Sequence, residues 1–208
     1  MARPRDQSQR RDELVEAATT LIAQKGMLSV RLRDVADAAG ITPGAVLYYY
    51  GNLDQLFAAA YNRAIKRFCA ERERVVAGIA DPAEQIATAI RLAIPRECND
   101  VEIRLLYELG PVAFRDESCA ELIAGYVERQ VVMYAAILEA GAAGGLFTLA
   151  HSARAVARNI ISLEDGQGLY VLLGRDEPAE VERRIFDYLA SATSIDRAAF
   201  DAQPARPD

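Results

Sequence analysis

The chain has 208 residues, 51% hydrophobic and 26% charged with a net charge of −6, which excludes a disordered chain and leaves enough apolar content for a full core. No stretch approaches the roughly 20 uninterrupted apolar residues of a membrane span. The basic N-terminus MARPRDQSQRRDEL lacks the apolar centre of a secretory leader, so a cytoplasmic protein with no membrane partner is expected.

Apolar residues recur at helical spacing almost throughout, and the alternation of strands is missing, so the expected fold is all-α with about nine helices. Leu14, Ala17, Ala18, Leu21 and Ile22 form the first stripe, stopped at Gly26. Leu32, Val35, Ala36 and Ala39 predict a short second helix closed by Gly40. Thr42 followed by Pro43 then reads as an N-cap and a first-turn proline, whose missing N–H costs nothing there, opening a third helix to about Tyr49. Gly51 breaks it. Asn52 and Gln55 give a capping-box pattern for a long fourth helix with Phe57, Tyr61, Ala64, Phe68 and Val75 on its apolar face.

Asp81, Pro82 and Glu84 repeat the start signal for a fifth helix ending near Pro95. Further helical patterns cover about 99–114, 117–143, 152–173 and 178–193. The division expected is a three-helix head over 1–52, a body over 53–193 and a flexible tail over 194–208. Charge follows that division, because basic side chains outnumber acidic ones in the first fifty residues while the remainder is acidic. Such an asymmetry suits a protein presenting one end to phosphates.

Catalytic chemistry is poorly supplied. Cys69, Cys98 and Cys119 stand far apart and His151 is the single histidine, which disfavours both a metal site and a nucleophile–histidine pair. No phosphate loop or dinucleotide fingerprint occurs, so neither a cofactor nor an enzymatic activity is expected.

The informative segment is SVRLRDVADAAGITPGAVLYYYGNLDQLF, in which two helices are joined by Ala39, Gly40, Ile41 and Thr42, a turn of helix-turn-helix length. Ala36 is small enough for the next helix to cross close above it, Ile41 plugs the turn and Val46 anchors the recognition helix. Thr42, Pro43, Gly44, Ala45, Tyr48 and Tyr49 are its exposed candidates. Small residues at 43–45 let the helix end enter a major groove, and a tyrosine can donate to a phosphate or lay its ring on a thymine methyl. Arg31 and Arg33, at the start of the second helix, are phosphate candidates. Three consecutive tyrosines cannot all face inward.

The run from Arg11 to Phe57 resembles the DNA-binding domain of the tetracycline-repressor (TetR) family. The match is carried by Ala17-Ala18, Gly26, Asp34-Val35-Ala36, Ala39-Gly40-Ile41, and Tyr48-Tyr49-Tyr50 running into Leu56. The resemblance implies a homodimer on double-stranded operator DNA and a body that senses a small apolar or amphipathic effector to relieve repression. Tyr50 stands where the family usually has Phe, which implies a core role, Arg31 where it commonly has a capping Ser or Thr, and Leu53 where it commonly has a phosphate-binding Lys. SLEDGQGLYVLLG is similar to the penultimate helix of the subgroup containing choline-response regulators.

If the central helices surround a cavity as in that family, Tyr61, Phe68, Arg104, Tyr107, Glu108, Phe114, Tyr126, Met133 and Tyr134 are the effector candidates. Ordinary core packing is the competing reading of each. Gly166 and Gly168 interrupt a good helical pattern and suggest close approach of a neighbouring helix, plausible at a dimer interface, or a local kink. Val181, Ile185, Tyr188 and Leu189 share one face of the last helix, and either close the subunit core or supply half of a dimer bundle. Two other functions compete: a small-molecule-binding or enzymatic helical protein with a degenerate head, and a DNA-binding regulator controlled by a protein partner.

Overall fold

A computed structural model of the chain describes residues 4–108, 110–114, 116–146, 148–196 and 200. Among them are ten α-helices, one 3-10 turn and no strand. The helices are α1 (Pro4–Lys25), α2 (Leu32–Ala38), α3 (Pro43–Tyr50), α4 (Leu53–Ala77), α5 (Pro82–Ala93), α6 (Val101–Glu108), α7 (Gly110–Ala113), α8 (Glu117–Ala143), α9 (Ala153–Leu172) and α10 (Pro178–Thr193). The 3-10 turn, Met27–Ser29, follows α1. The segment expected as one helix over 99–114 is helical over Val101–Glu108 and Gly110–Ala113, and Leu109 between them lies outside the described residues.

Local chemistry places most of these boundaries. The Oγ1 of Thr42 accepts from the Ala45 N–H at 3.2 Å with Pro43 in the first turn, and Asp81 accepts from Ala83 and Glu84 at 3.4 and 3.2 Å ahead of α5. Ser152 caps α9 through the Ala155 N–H at 3.3 Å. Gly40 ends α2 with φ +65°, and the Ile41 N–H returns to the Ala36 carbonyl at 3.0 Å while Gly40 reaches Asp37 at 3.3 Å. This paired closure needs a left-handed residue, which only glycine supplies without steric cost.

The chain forms two compact units, one of residues up to Lys66 with Arg104–Leu122, the other of Arg67–Ile103 with the chain from Ile123 onward. Helices α4 and α8 contribute residues to both. The first unit buries Leu14, Ala18 and Ile22 of α1, Val35 and Ala36 of α2, Val46 and Tyr50 of α3, and Leu56, Ala60 and Tyr61 of α4. The second has a larger core in which Ile86, Ile90, Val131, Leu138, Val156, Ile160, Val181, Ile185 and Leu189 are buried. Phe200, in the segment expected to be a loose tail, is also buried there. It stacks on Phe186 with centroids 5.1 Å apart, and its carbonyl accepts from Arg91 at 3.3 Å.

Candidate nucleic-acid interface

The first unit holds α3 in one orientation. Ala36 and Val46 are both fully buried where α2 and α3 cross, and a larger residue at 36 would drive the helices apart. At its far end Tyr50 is buried, its hydroxyl donating to the Arg11 carbonyl at 3.1 Å while the Arg11 guanidinium lies 4.5 Å from the ring centre. Burial pushes the Tyr50 phenol above its ordinary range, and Arg11 opposes that. Gly51, with φ +69°, turns the chain into α4, where the Gln55 N–H donates to Asn52 Oδ1 at 2.8 Å. A Cβ on Gly51 would come within 2.9 Å of Gln55 Oε1.

With that side of α3 committed inward, the other faces solvent. Thr42, Pro43 and Gly44 are exposed, Ala45 and Tyr49 are half-buried, and Tyr48 is 74% exposed. Tyr48 and Tyr49 meet edge to face with centroids 5.2 Å apart. Leu47, which is not among the sequence candidates, is 40% exposed and shares the open face with Gly44 and Tyr48 at helical spacing. Its signal was available, since Val46 and Tyr50 one turn apart already occupy the buried side.

Arg31 and Arg33 are exposed beside the start of α2, Arg33 loosely paired with Asp37 at 3.9 Å. Arg31 cannot accept the hydrogen bond a Ser or Thr cap would. The reverse half of the box replaces it, because Asp34 Oδ2 accepts from the Arg31 N–H at 2.8 Å. That bond, with Lys25 at 3.2 Å, holds the Asp34 carboxyl below its usual range.

Residues 14–60 match the family described as bacterial regulatory proteins, tetR family. Along nearly the whole chain, an HTH-type transcriptional regulator BetI of Brucella canis is 26% identical over 193 residues, covering 87% of this chain and 90% of that one. Residues 14–60 are thus similar to the DNA-binding domain of the tetR family, and the chain is a DNA-binding transcriptional regulator. Among solved structures of TetR-like fold, one from Rhodococcus sp. is 25% identical, covers 88% of this chain and 98% of its own, and superposes with a TM-score of 0.75. A Saccharomonospora viridis regulator solved in complex with choline is 21% identical with a TM-score of 0.81, over 89% of this chain and 98% of that one.

The nine effector candidates divide between the units. In the first, Tyr61 is fully buried with its hydroxyl 3.7 Å from Met27 Sδ. Glu108 accepts from the Met27 N–H at 3.1 Å, tying α6 to the 3-10 turn behind α2. Arg104 is exposed, Tyr107 half-buried and Phe114 90% exposed. A 430 Å³ depression in this unit is lined by Ala58, Ala59 and Asn62 of α4 and Ser118, Glu121 and Leu122 of α8, none of them among the nine.

In the second unit Phe68, Tyr126 and Tyr134 surround a buried cation that sequence reasoning missed, Arg72. Its guanidinium lies 5.7 Å from the Phe68 ring centre and 5.1 Å from that of Tyr134, and the Phe68 and Tyr126 rings are 6.1 Å apart. Arg72 donates to Ala89 O and Glu164 Oε1, each at 2.9 Å, and also to Gln130 and Tyr134; Tyr134 donates in turn to Glu164. Gln130 donates to Cys69 Sγ at 3.1 Å. Burial pushes the Glu164 carboxyl up to about 7 against the opposing pull of Arg72 and Tyr134. Met133 is half-buried beside this core.

On α9 and α10, Val181, Ile185 and Leu189 are fully buried within the unit, so that stripe closes the subunit core. Gly168 is buried, Gly166 exposed and Tyr188 half-buried, its hydroxyl accepting from Asn159 at 2.9 Å. Exposed apolar surface at the end of α9 comes instead from Leu169, Tyr170 and the C-cap Leu173, at 42, 53 and 59% exposure.

Proposed function

We propose that this regulator is a repressor, bound as a two-fold homodimer to a near-palindromic operator and released by a small apolar or amphipathic effector. The head, residues 1–52 with the start of α4, presents Arg31, Arg33, Thr42, Pro43, Gly44, Ala45, Tyr48 and Tyr49 to DNA, and residues 53–193 form the effector-binding and dimerisation body. The observation that carries this reading is the open face of α3, displayed on a helix whose opposite side is locked into the core. The dimer contact is assigned to α9 around Gly166, Leu169, Tyr170 and Leu173, with Tyr188 at its edge, because these leave apolar surface uncovered in one subunit.

The body's polar interior supports an effector. A buried ion pair seldom stabilises more than apolar packing of the same volume would, so Arg72, Glu164, Tyr134 and Gln130 are better explained as handles for a ligand amid Phe68, Tyr126 and Met133. The choline bound by the Saccharomonospora viridis protein favours a small polar-ended molecule. In this chain the Arg72 guanidinium already occupies the position between aromatic faces that attracts an ammonium, so the effector assigned here is neutral or anionic. The test is operator-duplex anisotropy during titration with choline and with a neutral and a carboxylate-bearing amphiphile. Release by either of the latter and not by choline is expected; binding of an amphiphile to the body with unchanged operator affinity at saturation refutes the coupling.

A further inference from the structure

The residues along α3 are Pro43, Gly44, Ala45, Val46, Leu47, Tyr48, Tyr49 and Tyr50 behind the cap Thr42, with no Arg, Lys, Asn, Gln, Asp or Glu among them. Those six side chains make the paired hydrogen bonds that distinguish guanine, adenine and cytosine edges in a major groove. The open face of this helix therefore lacks the groups that read base edges by hydrogen-bond pairs. What it does carry is apolar: Gly44, the 40% exposed Leu47 and the 74% exposed ring of Tyr48, one turn apart on one side.

One major-groove feature of DNA rewards apolar contact, the C5-methyl of thymine. The small residues Pro43, Gly44 and Ala45 keep the first turn thin, so the backbone can approach the groove floor closely enough for Leu47 and Tyr48 to reach it. Building on the DNA-binding reading above, we propose that α3 selects its operator by thymine methyl groups packed against Leu47 and Tyr48, with no guanine read by a side-chain fork from this helix. The polar edge of the interface, Arg31, Arg33 and the tyrosine hydroxyls, then serves the phosphates, which position the protein without specifying sequence.

The methyl is the operative group, and it can be removed alone. Replacing thymine by deoxyuridine deletes the C5-methyl, leaves both Watson–Crick pairing and the minor-groove edge intact, and so separates α3 contacts from any A·T preference read in the minor groove. The full-length protein is used to select binders from a random-sequence duplex library, and the enriched duplex is resynthesised with deoxyuridine at single thymines. The expected result is an A·T position in each half-site at which losing the methyl weakens binding about fourfold, the burial of one methyl-sized group. Substitution in both half-sites should weaken it about 15-fold, because the two-fold axis doubles the contact. Leu47→Ala should flatten the thymine-to-uracil difference while still binding DNA, with helicity by circular dichroism as the folding control. Enrichment of a sequence whose affinity is the same with uracil throughout, or of invariant guanines that Arg31→Ala leaves in place, overturns this inference and leaves the DNA-binding reading standing. Failure to enrich any sequence, with binding that ignores salt, overturns both.

Discussion

At the scale of single residues, the buried Arg72 cluster has the sharpest consequences. Arg72→Met keeps the volume and leaves Glu164 without its cation inside an apolar core, where breaking a buried pair costs about 3–5 kcal/mol. Urea unfolding should show that loss. Glu164 adds a pH dependence. Its folded-state carboxyl lies near 7, above the unfolded value near 4.5, so the folded protein binds a proton that the unfolded chain has already released. The contribution is complete at low pH and is lost as pH rises through about 7. The urea midpoint should fall from pH 5 to pH 8 more steeply in the wild type than in Glu164→Gln, whatever the variant's overall stability; parallel slopes would assign the pH dependence elsewhere. Tyr49→Phe belongs here too. Tyr49 is half-buried with its ring edge to face with Tyr48, and removing its hydroxyl should weaken operator binding by about 1 kcal/mol with unfolding unchanged if that hydroxyl meets a phosphate.

At the scale of elements, the junction of α3 and α4 decides how the head meets phosphates. Leu53 opens α4, where the first-turn N–H groups and the positive end of the helix dipole already favour an anion. Leucine adds only packing there, and it is half-buried. Leu53→Lys should strengthen binding to operator and unrelated DNA alike and steepen the slope of log affinity against log salt by about 0.9 per subunit. An unchanged slope in fluorescence anisotropy would place residue 53 off the phosphates. The same junction explains what was legible. Thr42-Pro43, Asn52-Gln55 and Asp81-Pro82 each predicted a helix start that the hydrogen bonds supply, because capping is a local exchange between neighbours in sequence.

At the scale of the whole molecule, the predicted dimer rests on the α9 face. Leu169, Tyr170 and Leu173 leave apolar surface exposed at the end of one helix, and Leu173→Glu puts a charge there without touching the subunit core. Light scattering should show the variant shifted from dimer towards monomer, with operator affinity falling because one head can no longer borrow the binding of the other. A monomeric wild type with undiminished operator affinity would remove the dimer from the account.

The sequence by itself determined the helical class, the helix-turn-helix and the inward role of Ala36 and Val46, because periodicity, caps and the Gly40 turn act over a few residues. It left open which side of the last helix faces in, and it gave no sign that Arg72 would be buried or that Phe200 would join the core. Those outcomes depend on partners far away in the chain: Arg72 meets Gln130, Tyr134 and Glu164, and Phe200 meets Phe186 and Arg91. A charged residue on an amphipathic helix reads as solvated until the fold supplies enough hydrogen-bonding partners to bury it, and only the tertiary structure brought those partners together.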